Sequence, residues 1–271
     1  VSRMEERGDL ESHGTARNYE QSLKQVAEWL RENHEGGLRD MTHEQADRYL
    51  AERAEQVGQS TLDQDRQALQ AHLGEQLDRV QSERDQALEA RAYSSDQVDM
   101  VKEAQAEHNQ LATDVAREAG LRAHELHTIR PAEERPAADR NWSQNLHAGR
   151  GDVARYTVQG KGGLVREVAL SRETANRLEA VRRDAVTVYD RGIRYESHYQ
   201  IGGGNAWSKA FSAASRNELG WSHGAHGLRH SYAQERMETL QREGFSYRDA
   251  LQVVSNEMGH HRADITEVYL R

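Results

Sequence analysis

The sequence predicts a mainly α-helical protein of the α+β class, with a helical N-terminal domain followed by a mixed domain that contains a small antiparallel sheet. Apolar residues recur at helical spacing along most of the chain, and helix-capping residues precede them. Strand-like runs occur only in the middle, on either side of a glycine-rich turn. A chain of 271 residues is long enough for two domains of ordinary size.

The front of the chain carries the signals of several short helices. In the first predicted helix the apolar residues fall on one stripe, formed by Tyr19, Leu23, Val26, Ala27 and Leu30. Thr42 and Gln45 have the spacing of a capping box at the start of a second helix. Ser60 is placed to cap a third helix, and a highly charged fourth helix is predicted over residues 76–91.

A change of pattern after these helices marks a second domain, predicted over residues 92–271. Its runs ARYTVQ (154–159) and LVREVAL (164–170) flank the turn GKGG, which is a hairpin pattern. Three further helices are predicted in its last part. The boundary leaves an N-terminal tail over residues 1–14 and a helical domain over residues 15–91.

Composition excludes several classes of protein. The sequence has no cysteine, which excludes disulfide frameworks and thiolate metal sites and agrees with a reducing compartment. No apolar run approaches the roughly 20 residues of a membrane span, and the N-terminus lacks the pattern of a signal peptide. We therefore expect a cytoplasmic protein.

The negative charge of the chain is concentrated at the front. Its net charge of −9 by itself argues against a polyanionic partner. Residues 1–100 carry 12 basic and 22 acidic side chains, whereas residues 101–271 carry 24 and 23. Only four of the 36 basic residues are lysines. Arginine offers the bidentate fork that suits phosphate, but a GC-rich genome explains the same bias.

The segment HGLRHSY contains a candidate anion site. His226 and Arg229 are three residues apart, so on a helix they share a face. The preceding SHGA has the composition of a loop, which places both residues in the first helical turn. Free N–H groups and the helix dipole favour an anion there. Alone, such a pair is more often structural or on the surface.

The turn GKGG is not a phosphate-binding loop of the Walker type. That loop needs G-x-x-x-x-G-K-[ST] between a strand and a helix, whereas these glycines lie between two strands. The turn leaves Lys161 at the tip of a rigid hairpin, from which it can reach a ligand. A solvated turn lysine is the ordinary alternative.

Five histidines near the end of the chain raise the question of a zinc site: His223, His226, His230, His260 and His261. Imidazole is a good zinc ligand, but no carboxylate completes a recognised spacing, and adjacent histidines do not easily converge on one ion. We expect no metal and no other cofactor.

The order of the motifs along the chain is more informative than any one of them. The first motif is an arginine after a Gly-Leu step, Arg122, with an acidic partner, Glu125. A lysine at the hairpin turn follows, Lys161, and then a His-x-x-Arg pair, His226 and Arg229. The last motif is a Gly-His step at His260 with a tyrosine nine residues later, Tyr269. This ordered set resembles the tyrosine recombinase (phage integrase) family. The resemblance covers about residues 15–271.

The resemblance implies that Tyr269 is a nucleophile and that Arg122, Arg229 and His260 contact a scissile phosphate. Elementary chemistry agrees with these roles. Attack on a phosphodiester places negative charge on the non-bridging oxygens, where guanidinium forks stabilise it. A phenol with an ordinary pKa near 10 needs a base or nearby cations to react at neutral pH.

Three further roles follow from the resemblance. Lys161 is implied as the general acid toward the leaving 5′-oxygen, which is strongly basic and needs a proton. His226 is implied as a general base or a phosphate ligand. Glu125 is implied as a residue that orients Arg122.

The function implied is site-specific recombination by an enzyme of a mobile element. Such an enzyme cleaves and rejoins duplex DNA through a 3′-phosphotyrosine intermediate, without ATP or metal. Residues 15–91 would form a SAM-like core-binding domain and residues 92–271 the catalytic domain. Double-stranded DNA is the expected partner, with a homotetramer on two sites and a monomer or dimer off DNA. The protein is therefore expected in the cytosol of a bacterial or archaeal cell, associated with the nucleoid.

Some features depart from the family pattern. The front domain is acidic, so its basic residues must gather on one face to hold DNA. Only Leu270 and Arg271 follow the tyrosine, where the family commonly has a tail that docks on a neighbouring subunit. About fourteen residues precede the first predicted helix, which leaves no room there for the arm-binding domain of some integrases.

Two alternatives remain beside recombination. A type IB topoisomerase-like enzyme uses the same cleavage chemistry without synapsis of two sites. A non-catalytic DNA-binding relative would bind DNA but form no covalent adduct with it. The complete set of implied site residues argues against the second alternative.

Overall fold

The computed structural model is described over residues 13–84, 89–260 and 262–271. The side chains of His13 and Lys161 are not part of that description. Four sequence predictions therefore fall wholly or partly outside it: residues 1–12 of the N-terminal tail, residues 85–88 of the predicted helix over residues 76–91, the Lys161 side chain and His261 of the histidine set.

The chain divides into two compact units, Val1–Leu88 and Glu89–Arg271. In its described part the first unit is helical, with a 3-10 turn at Leu38–Asp40 and the helices α1 (His13–Glu32), α2 (His43–Ala54) and α3 (Gln59–Leu73). The predicted capping box at Thr42 is confirmed. The apolar stripes of these helices meet in one core, which includes Val26, Leu30, Leu50, Leu62 and Leu69.

The predicted helix over residues 76–91 is wrong for the part of it that is described. Helix α3 ends at Gly74, whose φ of 75° is left-handed, and no helix follows among the described residues of this unit. The next segment runs back along α3. Its backbone N–H groups donate to the side-chain carbonyls of Gln59 and Gln70, at 2.8 and 3.1 Å. These side-chain bonds replace the helical ones that the charged sequence suggested.

Helices also make up most of the second unit. Its described residues form α4 (Ser95–Glu103), α5 (Glu107–Glu118), α6 (Arg172–Ala180), α7 (Gly204–Leu219), α8 (Gly227–Arg242), α9 (Tyr247–Glu257) and α10 (Ala263–Glu267). Helix α5 is central, because its Leu111, Ala112, Val115 and Ala116 form a continuous buried face.

The predicted hairpin is confirmed. Strands β1 (Arg130–Pro131), β2 (Val153–Gln159) and β3 (Val165–Ser171) form an antiparallel sheet in that order. The register pairs Gln159 with Val165, and the turn Lys161–Gly163 connects β2 to β3. The hairpin turn therefore projects from a paired, rigid support.

A second hairpin was not predicted from the sequence. Strands β4 (Arg182–Asp190) and β5 (Ile193–Tyr199) pair through the two-residue turn Arg191-Gly192, in which both φ angles are positive. Positive φ at both positions is the signature of a type I′ turn, but arginine is an unusual residue there. Strand β4 is mostly exposed, so its residues do not alternate between a buried and a solvated face. That alternation is the signal by which a strand is identified.

The observed elements confirm the predicted fold class. The described residues contain ten α-helices and two small antiparallel sheets. In the second unit one core surrounds α5 and a second lies between α8 and α9. The start of α8 and the end of α9 contact the C-terminal segment, and the β2–β3 turn lies against the turn after α5. The candidate site lies among these elements.

Candidate active site

The first site residue, Arg122, is fixed by its own neighbour in sequence. It precedes the 3-10 turn Ala123–His127, and Glu125 in that turn reaches back to it. Glu125 Oε2 accepts from the Arg122 backbone N at 2.7 Å, and Oε1 accepts from Arg122 Nη1 at 2.9 Å. The Glu125 carboxylate thus holds both the backbone N–H and the guanidinium of Arg122. The Arg122 side chain remains 26% exposed.

Glu125 itself is fully buried. Burial alone would raise the pKa of its carboxyl group, but the charges of Arg166, Arg229 and Arg122 outweigh burial and lower the pKa to about 2. The carboxylate is therefore ionised at every pH at which the protein is expected to fold.

Arg229 is completely buried in the first turn of α8. Its Nη1 donates to the Gly120 carbonyl, and its Nη2 donates to the Met258 carbonyl at 3.1 Å. Burial, together with the charge of Arg122, lowers the pKa of Arg229 to about 10, so the group stays protonated at neutral pH. The guanidinium is oriented by backbone oxygens from two distant segments.

His260 follows α9 and is held in one tautomer. Its Nε2 lies 3.2 Å from Arg229 Nη2, and its Nδ1 lies 3.0 Å from Thr266 Oγ1. Arginine only donates, so Nε2 accepts and Nδ1 carries the proton. Burial and the charges of Arg229 and Arg122 lower the pKa of His260 to about 3. The ring is therefore neutral at physiological pH.

Tyr269 lies among the other predicted residues. Its ring centre is 5.3 Å from that of His260 and 5.4 Å from that of His226. The guanidinium carbon of Arg229 is 5.5 Å from the same ring centre. His230, which the sequence analysis considered only as a zinc ligand, has the nearest ring, at 4.7 Å.

His226 is the N-cap residue of α8 and is exposed at its edge. Partial removal from water and the charge of Arg229 lower its pKa to about 4. The imidazole is therefore neutral at pH 7 and able to accept a proton. Among the described residues it has no side-chain hydrogen-bond partner.

The β2–β3 turn lies directly against the Arg122–Glu125 pair. A Cβ atom at Gly160 would be 3.1 Å from Glu125 Oε1 and 3.8 Å from Arg122 Nη1. The backbone of Lys161, the next residue, is thus adjacent to the site, while its side chain lies outside the description.

The predicted residues Arg122, Glu125, His226, Arg229, His260 and Tyr269 are therefore gathered in one place. Comparison with known proteins gives this arrangement a context. A family model described as phage integrase, N-terminal SAM-like domain, matches residues 8–74. A search of curated proteins found no match.

Solved structures match over most of the chain. A lambda integrase tetramer bound to a Holliday junction superposes with a TM-score of 0.61 at 14% identity, covering 99% of this chain and 75% of that one. The Tn1549 transposon integrase in complex with circular intermediate DNA gives 0.55 at 14%, covering 100% and 93%. XerH recombinase bound to a palindromic difH substrate gives 0.55 at 14%, covering 92% and 73%.

The chain has the tyrosine recombinase fold. The resemblance inferred from the ordered motifs is thereby confirmed. In this fold the six gathered residues come from four places. Arg122 and Glu125 lie at the turn after α5, and His226 and Arg229 at the start of α8. His260 follows the end of α9, and Tyr269 lies in the C-terminal segment.

Arg166 is a recombinase-fold residue that sequence reasoning missed. It lies on β3, is 1% exposed, and donates from Nη2 to Glu125 Oε2 at 2.8 Å and from Nη1 to the Glu257 carbonyl at 2.6 Å. A Cβ at Gly259, where φ is 72°, would lie 2.7 Å from Arg166 Cδ. The glycine of the Gly-His step is thus needed for close packing on Arg166. A charged residue at an inward position of a strand was the available signal.

The buried carboxylate of Glu257, the last residue of α9, holds the end of that helix in place. Glu257 accepts two bonds from Arg236, each at 2.9 Å, and one from the Tyr232 hydroxyl at 2.8 Å. Burial would raise the pKa of Glu257, but the hydrogen bonds and charge of Arg236 lower it. The end of α9 therefore cannot shift without breaking a buried ion pair, which fixes the carbonyls that orient Arg229 and Arg166.

The charges of the site do not cancel. Arg122 and Arg166 form ion pairs with Glu125, and Arg229 has no carboxylate partner among the described residues. Three guanidinium groups thus face one carboxylate, an excess of two positive charges, while the surrounding imidazoles are neutral. A buried excess of charge is costly unless an anion balances it. The arrangement is suited to a phosphate group.

The described residues form neither a metal site nor a membrane-spanning helix. No group of three or more His, Asp or Glu side chains there is arranged to hold a metal ion. None of the helices described is both long and apolar enough to cross a membrane.

Proposed function

We propose that the protein is a site-specific DNA recombinase, an integrase of a mobile element, that cleaves and rejoins duplex DNA through a 3′-phosphotyrosine intermediate. The observation that carries this proposal is the position of the Tyr269 ring, which lies beside the Arg229 guanidinium and near the rings of His226 and His260, in a site with an excess of two positive charges. A phenol beside an excess of positive charge is the arrangement that phosphoryl transfer to tyrosine requires.

The anion in the proposed reaction is the scissile phosphate. A phosphodiester carries one negative charge, and attack by a phenolate brings a second onto the non-bridging oxygens. The excess of two positive charges at Arg122, Arg166 and Arg229 matches the charge of this transition state. Arg122 is partly exposed and contacts the phosphate directly, whereas the buried Arg166 acts through Glu125.

Deprotonation of Tyr269 is assigned to His226. Both nitrogens of His260 are engaged, one by Arg229 and one by Thr266. His226, neutral and without a side-chain partner among the described residues, retains a free lone pair. His260 is proposed to contact the phosphate in its other tautomer, in which Thr266 Oγ1 donates to Nδ1 and Nε2 carries the proton that it donates to a non-bridging oxygen.

Protonation of the leaving 5′-oxygen is assigned to Lys161. The β2–β3 turn that carries this lysine abuts the Arg122–Glu125 pair, so its side chain is within reach of a phosphate held by Arg122. Bond formation to Tyr269 and bond cleavage at the 5′-oxygen leave the number of phosphoester bonds unchanged. Rejoining therefore needs neither ATP nor a metal.

The proposal extends to domains and partners. Residues 15–91 are assigned as the core-binding domain, in agreement with the SAM-like family model, and residues 92–271 as the catalytic domain. The partner is double-stranded DNA. Four copies on two sites are proposed for the active assembly, by analogy with the lambda integrase tetramer on a Holliday junction.

A suicide-substrate assay tests the proposal. Short direct repeats flanking the encoding gene supply the candidate site, and a nick placed beside it allows the cleaved strand to diffuse away. We expect a covalent protein–DNA adduct resistant to SDS for the wild type and none for Tyr269→Phe, with DNA binding unchanged within a few-fold. An adduct that persists in Tyr269→Phe would contradict the assignment of the nucleophile.

A two-site plasmid distinguishes the alternatives. A recombinase exchanges the segment between the sites, a topoisomerase-like enzyme relaxes supercoils without exchange, and a non-catalytic relative binds without forming an adduct. EDTA is expected to leave the wild-type reaction unchanged, since the proposed chemistry uses no metal.

A further inference from the structure

Tyr93, near the start of the second unit, connects its segment to the first turns of α8. Its side chain belongs to a hydrophobic core and is only 3% exposed. Helix α8 carries His226 and Arg229 of the site already described, and residues 221–226 form the loop that leads into it, the α8 loop. A buried tyrosine hydroxyl needs hydrogen-bond partners, and those of Tyr93 lie on this loop and on the helix before it.

The backbone of Tyr93 is bound to α8 through one serine. Ser231 Oγ accepts from the Tyr93 backbone N at 2.8 Å and donates to the Tyr93 carbonyl at 2.8 Å. A hydroxyl has one proton and two lone pairs, so both bonds form together. At Gly227, one turn earlier on the helix, a Cβ atom would lie 2.5 Å from the Arg91 carbonyl oxygen and 2.5 Å from Tyr93 Cε2. The start of α8 is therefore in direct contact with this segment.

The Tyr93 hydroxyl holds the backbone of the α8 loop. It accepts from the His223 backbone N at 2.8 Å, and Ser222 Oγ lies 3.4 Å from it. It also lies 3.3 Å from Ser215 Oγ. The Ser215 hydroxyl donates to the Trp221 carbonyl at 2.8 Å, so Ser215 accepts the proton of Tyr93. One phenol oxygen thus fixes the loop backbone directly at residue 223 and, through Ser215, at residue 221.

Apolar packing anchors the same region on either side of His226. Ala225 and Leu228 are buried in the core that contains Tyr93. The Trp221 ring stacks on the Tyr93 ring, with ring centres 5.3 Å apart and 12° between the planes, and stays 36% exposed. His226 itself is exposed. Its neighbours are held by apolar contacts, and the loop backbone before them is held by the hydrogen bonds of Tyr93.

Helix α8 begins without a side-chain cap among the described residues. The side chain of its N-cap residue, His226, accepts no backbone N–H group of the first turn. Instead, the backbone N–H groups of Gly227, Leu228 and Arg229 donate to carbonyls three residues earlier, at 3.0 to 3.2 Å. These carbonyls all belong to the α8 loop, which therefore takes the place of a cap. Contacts that fix the loop also fix the first turn of the helix.

We propose that Tyr93 is a positioning residue that holds the start of α8 through its hydroxyl and its backbone, and so keeps His226 beside Tyr269. The centres of the His226 and Tyr269 rings are 5.4 Å apart. Tyr93 acts on the reaction through the α8 loop and Ser231, and it contacts neither the phosphate nor the nucleophile. The catalytic consequence rests on the proposed function, whereas the support of α8 does not.

Three variants separate the support of α8 from general stability. Tyr93→Phe keeps the ring but removes the acceptor of the His223 N–H. Tyr156→Phe is the matched control, because Tyr156 is 4% exposed and its hydroxyl donates to Glu179 at 2.8 Å, away from the proposed site residues. Ser231→Ala releases the Tyr93 backbone and keeps the test decisive if Tyr93→Phe does not fold.

Hydrogen exchange of residues 221–229 in the DNA-free, full-length chain measures the support directly, with the amides of α5 as the internal reference. We expect an acceleration of about fivefold in Tyr93→Phe, the effect of one neutral hydrogen bond, and a similar one in Ser231→Ala. Tyr156→Phe should stay within about twofold of the wild type in this segment. Unchanged exchange in both Tyr93→Phe and Ser231→Ala, or equal acceleration in Tyr156→Phe, overturns the proposal.

The pH dependence of single-turnover cleavage separates positioning from a loss of stability. Burial and the charge of Arg229 lower the pKa of His226 to about 4. A loosened helix start admits water and raises this pKa toward the ordinary value of 6.5, so more of the proposed base is protonated in weak acid. The defect of Tyr93→Phe should therefore be larger at pH 5.5 than at pH 8. The charged and titratable groups around His226 are unchanged in this variant: Arg91, Arg122, Arg229, His230 and Tyr269.

Cleavage of the suicide substrate then decides the catalytic consequence. At pH 5.5 Tyr93→Phe should cleave several-fold more slowly than the wild type, with unchanged DNA affinity. If the wild type forms no adduct, the proposed function fails while the exchange result still stands. If the wild type cleaves and Tyr93→Phe matches its rate and pH profile despite faster exchange, the catalytic part of the proposal is wrong. The same pH-dependent defect in Tyr156→Phe would also contradict it.

Discussion

The guanidinium carbon of Arg229 lies 5.5 Å from the centre of the Tyr269 ring, within the same chain. Each of these two side chains is also held in place by other groups. Arg229 is oriented by the carbonyls of Gly120 and Met258, and Tyr269 by contacts with α8. The proposed nucleophile and Arg229 are therefore brought together by contacts within a single chain.

Arg122→Lys and Arg229→Lys should each reduce single-turnover cleavage by about 10²–10³-fold, as expected for the loss of a preorganised transition-state donor. Lysine keeps the charge, but one ammonium group cannot satisfy the acceptors that a guanidinium fork reaches. Arg177→Lys is the matched control, because Arg177 is half exposed and pairs with Asp114 away from the site. Near-normal cleavage by either site variant would remove that arginine from the proposed phosphate contact.

Lys161→Ala should be badly impaired on ordinary DNA and largely restored on a substrate with sulfur at the 5′-bridging position. A thiolate leaves without protonation, because thiols are much more acidic than alcohols. Arg229→Ala should not be restored, since its charge acts on the non-bridging oxygens. The measurement is the single-turnover rate on both substrates. Equal impairment of Lys161→Ala on the two would show that the lysine positions DNA, and the acid would then be sought at His226 or His260.

Arg166→Met should lower the free energy of unfolding by about 3–5 kcal/mol, because it leaves the buried carboxylate of Glu125 without its most buried partner. Adding Glu125→Gln to that variant should recover part of the loss, since the unpaired charge is then removed. Denaturant unfolding measures both.

Arg172→Met serves as the comparison, because its ion pair with Asp152 is exposed and such pairs contribute at most about 1 kcal/mol. A loss in Arg166→Met as small as that of Arg172→Met would mean that Glu125 is adequately stabilised by Arg122 and Arg229 alone.

Acidification should destabilise the protein between pH 6.5 and about 4. The pKa of His230 is lowered to about 4 and those of His147 and His260 to about 3, mainly by burial. In the unfolded chain these groups titrate near pH 6.5. The unfolded state therefore binds more protons in this window, and stability falls by up to about 1.4 kcal/mol per pH unit for each buried histidine.

Denaturation at pH 6.5, 5.5 and 4.5 measures the effect, and His230→Gln should show a shallower slope because one titrating group is gone. Glu125 adds to the loss only from the acid end of this window downward, because its carboxyl titrates near 4.5 in the unfolded chain and at a pKa of about 2 in the folded protein. A stability independent of pH above 4.5 would contradict the buried, neutral state of these rings.

The sequence predicted most of the helices and the first hairpin because their signals are local. The capping box at Thr42 and the glycine-rich turn at residues 160–163 need only neighbouring residues to specify them. The β4–β5 hairpin was missed because an exposed strand has no buried face, and the helix over residues 76–91 failed because Gln59 and Gln70 compete for its backbone. Both errors arise where tertiary context outweighs local pattern.

The candidate site was predictable in outline for a different reason. The ordered motifs name residues whose chemistry is visible in the sequence, such as Arg229 and Tyr269. Arg166 bonds to Glu125, which is 41 residues away, and the buried His230 ring lies against the Tyr269 ring, which is 39 residues away. Nothing in a local pattern distinguishes them from ordinary core residues.

The hydrogen bonds that orient Arg229 have a consequence for biosynthesis. They join Gly120 to a residue 109 positions later and Arg229 to a carbonyl 29 positions later, so the site has long-range contacts at its centre. Such contacts form late, after the intervening chain has folded. A nascent or truncated polypeptide that stops short of Met258 lacks an acceptor for Arg229 as well as the proposed nucleophile. On the proposed function, a partly synthesised chain therefore cannot cleave DNA.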